Sequence, residues 1–105
     1  MDNTQLLQTL GLTDKEAHIY NLLLEMGKVQ ASSLISKTGL KRATVYKSLY
    51  ILEEKGLVKQ EDIKKKKQFT PLPPDNLLKL SDEQFEKQQR ARDDLRSILP
   101  RLTST

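Results

Sequence analysis

The chain has 105 residues, about one domain's length, of which 36% are hydrophobic, 30% charged and 5% aromatic, with a mean hydropathy of −0.60. So thin an apolar supply fills one core and leaves part of the chain outside it, as a long helix or a tail. Lys and Arg number 18 against 14 Asp and Glu, a balance of +4 that favours polyanionic partners, while the lack of cysteine excludes disulfides, thiolate metal sites and a Cys nucleophile.

Leu6, Leu7, Leu10 and Leu12 fit a short helix stopped at Gly11, a residue favoured where a chain leaves a helix left-handed. Thr13-Asp14-Lys15-Glu16 has the N-cap hydroxyl and the N3 carboxylate of a capping box, with Leu12 placed to staple on Ala17. The stripe Ala17, Ile19, Tyr20, Leu22, Leu23, Leu24 and Met26 predicts a central core helix ended by Gly27, with His18 at its margin. Val29-Gln30 reads as extended. Ala31 to Thr38 reads as a short helix with Leu34 and Ile35 inward, Ser32 or Ser33 available to cap it, and Gly39 closing it. A second long helix is expected over about 41–55, with Ala43, Val45, Tyr46, Leu49, Ile51 and Leu52 apolar, Tyr50 at the margin and Gly56 as the stop.

After Gly56 the period falls from about 3.6 to 2, which predicts a hairpin with Lys64, Lys65, Lys66 and Lys67 at its tip. Pro71, Pro73 and Pro74 mark where pairing is expected to end, because proline lacks an amide proton. Asp75 can cap a further helix that runs on through the charged segment from Ser81 and is expected to stop at Pro100. Heptad-like spacing joins Leu78, Ser81, Phe85, Gln88, Arg92, Leu95, Leu99 and Leu102, a seam apolar at both ends and polar in the middle.

This order predicts a mainly α chain with a small β-hairpin: a winged helix-turn-helix over residues 1–72, followed by a long coiled-coil-like helix over 73–105. Gly39 lets the chain reverse and Leu40 can tuck inward, so the following helix is presented rather than buried. Its first turn, Lys41-Arg42-Ala43-Thr44, sets two cations and a hydroxyl where backbone amides also point outward, as a phosphate or base edge requires. Helical spacing puts Lys41, Thr44, Lys47 and Ser48 on one face and Val45, Leu49 and Leu52 on the other, with Tyr46 between them.

Arg42 and Thr44 are the candidates for base edges, and Lys41 and Lys47 for phosphates. Ser32, Ser33 and Tyr46 stand as further candidates. Lys64 to Lys67 would repel one another unless a polyanion neutralised them, and a duplex carries about one charge per 1.7 Å of axis. Each pattern also has a plainer account. Surface helices carry Lys and Arg for solvation, lysines on a hairpin edge oppose aggregation, and Tyr46 can pack against the wing. Phe85, Leu95, Ile98 and Leu99, left uncovered, would make an exposed apolar stripe, so a homodimer is expected along Leu78, Phe85, Gln88, Arg92, Leu95, Ile98, Leu99 and Leu102.

Two blocks carry a family resemblance: Leu10-Gly11-Leu12-Thr13-Asp14-Lys15-Glu16-Ala17, and Thr38-Gly39-Leu40-Lys41-Arg42-Ala43-Thr44-Val45-Tyr46-Lys47-Ser48-Leu49 leading to Leu52 and Gly56-Leu57-Val58. Together, from about Leu6 to Leu80, they resemble the DNA-binding domain of TrmB-type transcriptional regulators. The resemblance implies a dimer whose recognition helices enter successive major grooves with wings alongside. In this sequence those roles fall on Arg42, Thr44, Lys47 and the wing lysines, with pairing on residues 85–102. TrmB-type regulators often continue into a sugar-sensing domain. The sequence ends at Thr105, and no small-molecule effector site is carried over.

The expected partners are therefore double-stranded DNA and a second copy, with no cofactor and no membrane; an apolar run approaching the roughly 18 residues of a span is lacking, and a cytoplasmic location is expected. An enzyme is not expected, since neither a paired-carboxylate pocket nor a phosphate-cradling glycine loop is legible. Two alternatives stay open: a protein-interaction winged helix within a larger assembly, and non-specific nucleic-acid binding.

Overall fold

A computed structural model describes residues 3–103. Five helices and one hairpin follow in order: α1 Thr4–Thr9, α2 Asp14–Met26, α3 Ala31–Thr38, α4 Arg42–Glu54, β1 Val58–Ile63, β2 Lys66–Pro71 and α5 Asn76–Thr103. The arrangement is a winged helix-turn-helix carrying a long C-terminal helix. Among the described residues no helix is long and apolar enough to cross a membrane.

α2 begins on the capping box: Glu16 N–H donates to the Thr13 hydroxyl at 3.2 Å, and the Glu16 carboxylate accepts from Thr13 N–H. The Gln8 side-chain amide donates to the Asp14 carboxylate, tying the end of α1 to the start of α2. Ile19, Tyr20 and Leu23 of α2 then meet Leu34 of α3, Val45, Leu49 and Leu52 of α4, and Phe69 of β2 in a single core. Ser48 of α4 is also buried, so it leaves the polar face where helical spacing had put it, and Ala43, expected inward, is exposed. Ser48 is covered because it faces the start of α2, near Thr13 to Glu16, whereas Ala43 falls on the ridge of α4 that the core does not reach.

Between α3 and α4, Gly39 stands at φ 69°, ψ 8°, the left-handed cap that reverses the chain. Thr38 reinforces the turn from both sides: its hydroxyl donates to the Leu34 carbonyl at 2.7 Å and accepts from Leu40 N–H. The α3 N-cap is Gln30, without a side-chain cap bond, so neither Ser32 nor Ser33 caps the helix. They are the second and third residues of the helix, within its first turn but past the N-cap position.

The wing is an antiparallel hairpin in register from Val58 opposite Pro71 to Ile63 opposite Lys66. Val29 adds a bridge to Phe69, with both main-chain hydrogen bonds formed, as the remnant of a third strand. Pairing does not end before Pro71 as expected. Pro71 is the last strand residue, and Leu72 N–H still donates to the Leu57 carbonyl, because one missing donor at an edge costs the ladder a single bond.

α5 starts through main-chain bonds from Asn76, Leu77 and Leu78 to the carbonyls of Pro73, Pro74 and Asp75, not through an Asp75 side-chain cap. The Asn76 side-chain amide also donates to the Gly56 carbonyl at 2.9 Å. Leu80 is buried and Leu77 packs on the core, but beyond Gln84 every described residue of α5 is exposed. Nor does Pro100 stop the helix: it lies inside α5, about one turn from the end, where the lost amide frees only the Arg96 carbonyl. The radius of gyration, 17.5 Å, exceeds the ~13 Å of a compact domain this size because α5 projects from the body.

Candidate nucleic-acid interface

α4 presents its N-terminal half to solvent because Val45, Leu49 and Leu52 commit the opposite face to the core. Lys41 is the N-cap of α4, with an extended backbone and an exposed side chain. Arg42 is the first helical residue, and Ala43 and Lys47 are exposed along the same ridge.

On one flank of that ridge, Arg42, Tyr46, Gln30, Ala31, Ser32, Lys66 and Lys67 line a solvent-open groove of about 280 Å³. Three elements meet there: the first turn of α3, the first turn of α4 and strand β2. The volume lies below the roughly 300–1,000 Å³ of drug-sized ligand pockets, and the lining is cationic, which suits a phosphate group. On the other flank, Thr44, Lys47 and Ser48 line a second groove with Thr13, Asp14, Lys15 and Glu16 at the start of α2. The candidate base-edge residues Arg42 and Thr44 therefore look to opposite sides of α4.

Tyr46 joins the helix to the wing. The Arg42 guanidinium sits 5.1 Å from its ring centroid and lies within 3.5 Å of its hydroxyl, while the ring meets Phe69 edge-on at 6.2 Å. Phe69 is fully buried and opposes Gln60 in β1, so the ring stack runs from solvent-exposed Arg42 into the core. Lys64 and Lys65 form the two-residue hairpin loop, at φ 50° and 66°. Positive φ at both loop positions is the signature of a type I′ turn, which Asn-Gly ordinarily fills.

Charge is distributed unevenly over this surface. Among the described residues the ion pairs are Lys28 and Lys59 with Glu61, on β1. Hydrogen bonds from Lys59 and Lys28 hold the Glu61 carboxyl below the ordinary glutamate range. None of Lys41, Arg42, Lys47 or the four wing lysines has such a partner among the described residues.

Ser33, half-buried, and Lys41 lie outside the groove lining. Gln30, Ala31 and Ala43 were not singled out by sequence reasoning. Ala43 could have been found from its spacing, one turn before Lys47 on the exposed ridge.

Leu78, Phe85, Leu95, Ile98, Leu99 and Leu102 are all exposed, from 39% at Ile98 to 70% at Leu78, and Gln88 and Arg92 lie exposed among them. Phe85, Gln88, Gln89, Ala91 and Arg92 line a shallow groove along the middle of α5.

No curated protein sequence matches the chain. Among solved structures, the archaeal chromatin protein TrmBL2, whose structure shows a novel mode of DNA binding, is similar at 27% identity and a TM-score of 0.64, over 97% of this chain and 42% of that one. The chain thus spans about two-fifths of the length of TrmBL2. The ST1889 protein of the thermoacidophilic archaeon Sulfolobus tokodaii is 20% identical with a TM-score of 0.60, over 74% of this chain and 85% of its own. A MarR-family regulator from Silicibacter pomeroyi is 16% identical with a TM-score of 0.60, over 96% and 80%; these two similarities show the fold. The family described as sugar-specific transcriptional regulator TrmB matches residues 7–75, well over half of the chain, from within α1 through the wing. With the capped α2, the Gly39 turn and the hairpin in their expected order, the chain belongs to the TrmB family of transcriptional regulators.

Proposed function

We propose that the chain is a sequence-specific regulator that binds double-stranded DNA as a homodimer on a pseudo-palindromic operator. The observation that carries this reading is the groove in which Ser32, Arg42, Tyr46, Lys66 and Lys67 converge from three elements with no acidic side chain in its lining. Residues 1–72 act as the DNA-binding unit and 73–105 as the pairing helix. α4 enters the major groove, Arg42 and Thr44 reach base edges, and Lys41 and Lys47 hold phosphates on either side. The wing lysines, Lys64 to Lys67, lie on the backbone or in the minor groove, with Ser32 and Ser33 at the phosphates nearest α3.

The test is fluorescence anisotropy with a random duplex and with duplexes enriched from a random pool, over a salt series, alongside the mass in solution. Preferential binding of enriched duplexes by a dimer, with a steep salt slope, is the expected result. Lys41→Ala should weaken all duplexes alike, whereas Thr44→Ala should erode the preference.

The similarity to TrmBL2 favours a second reading, sequence-independent DNA coating, because that relative is a chromatin protein. Equal affinity for random and enriched duplexes, untouched by Thr44→Ala, would replace the first reading with this one.

A further inference from the structure

We infer that α5 pairs with α5 of a second copy in the antiparallel sense, with its midpoint at the dyad. The inference rests on the homodimer proposed above and specifies how its two chains face each other.

The exposed seam runs Leu78, Ser81, Phe85, Gln88, Arg92, Leu95, Leu99, Leu102. Parallel pairing sets every seam residue opposite its own copy, so Arg92 would meet a second Arg92 in the middle of the interface, two like charges without a neutralising neighbour in the layer. It would also leave Asp82 and the second copy's Arg96 about 21 Å apart along the axis, at 1.5 Å per residue.

Antiparallel pairing resolves both. Leu78 then faces Leu102, Phe85 faces Leu95, Ser81 faces Leu99, and Gln88 faces Arg92, an amide carbonyl against a guanidinium. The exposed Asp82 and Arg96, which flank this seam on one side, come opposite each other twice by symmetry. The charge along the helix has the same polarity. Asp82, Glu83 and Glu86 outnumber Lys79 and Lys87 in its first half, and Arg90, Arg92, Arg96 and Arg101 outnumber Asp93 and Asp94 in its second. Ala91, next to the dyad and part of the central groove, is small enough to let the helices approach there.

The geometry has a consequence for the winged domains. Each α5 stays against its own body from Asn76 to about Gln84, so antiparallel pairing puts the two bodies toward opposite ends of a rod, with the Asn76 residues about 42 Å apart, whereas parallel pairing would set the bodies side by side.

The chain has no cysteine, which makes cross-linking clean. Full-length Ser81→Cys and Leu99→Cys proteins are oxidised separately and after refolding together, and run without reductant. Covalent dimer should form in the mixture and in neither protein alone, since copies of Ser81 lie about 27 Å apart in this arrangement. Dimer from Ser81→Cys by itself would overturn the inference. If Leu99→Cys weakens pairing, the charge swap decides: Asp82→Arg should weaken self-association about tenfold, and adding Arg96→Asp should restore it. Failure of the second change to rescue the first, in a chain that sediments as a dimer, overturns the antiparallel arrangement. A monomeric mass for the unsubstituted chain would instead remove the homodimer itself.

Discussion

Replacing Lys64-Lys65 by Asn-Gly should raise stability and lower DNA affinity at once. Both lysines hold positive φ in the loop between paired Ile63 and Lys66, and the left-handed region costs an L-residue with a full side chain about 1–2 kcal/mol. Asn tolerates that region and Gly has no Cβ to strain, but the glycine regains about 0.5–1 kcal/mol of unfolded-chain entropy, so the net gain should be about 1 kcal/mol. For a domain of this size that is a rise in Tm of about 4–8 °C, measured by circular dichroism. In anisotropy over a salt series, the loss of two cations should reduce the slope of log affinity against log salt by about 1.8 if both touch phosphates. An unchanged or lower Tm would refute the turn assignment. An unchanged salt slope would refute the placement of the wing tip on the backbone, and the two results can fail independently.

Tyr20→Phe should leave stability equal or raise it by up to about 1 kcal/mol in chemical denaturation, since the buried hydroxyl has no hydrogen-bond partner among the described residues; a loss of more than about 1 kcal/mol would show a bond the fold needs. Thr13→Ala removes half of the capping box and should cost about 1 kcal/mol, with most of it retained by Thr13→Ser. The lowered Glu61 carboxyl means that its pairs with Lys59 and Lys28 stabilise the fold above the ordinary glutamate range and are lost as pH falls through the lower folded value. Glu61→Gln should therefore be less stable than the parent at neutral pH, with the gap closing in acid and narrowing in high salt; a gap that persists on acidification would refute the charge origin.

Where a local rule and the tertiary contact agree, the sequence is readable. Thr13 with Glu16 defines the start of α2, and Gly39 defines the turn before α4, because a cap and a left-handed residue act within four positions of themselves. Where a distant surface decides, it is not. Ser48 is buried because α2 happens to lie over it, and Pro100 stays helical because the turn it interrupts is the last one. The lysine loop escapes recognition for another reason: it takes a turn type whose usual residues are absent, held in place by the strand register on either side. Of the candidate site, the sequence marks the cations but not their grouping. The division of Arg42 and Thr44 between two flanks of α4 depends on where β2 and the start of α2 come to rest.

The edge-on contact of Tyr46 with Phe69 braces the wing against α4, because Phe69 is locked in the core, and Arg42 covers the same Tyr46 ring at the mouth of the groove. A jaw braced in this way adjusts its gape little to the duplex it holds. On the proposed reading, the accommodation passes to the nucleic acid, whose groove width and bend must come to the spacing the protein sets. Selection would then act on base steps no side chain reaches: pliable TA or CA steps between the contacted positions should bind better than stiff A-tracts, a preference by deformability layered over any read by hydrogen bonds.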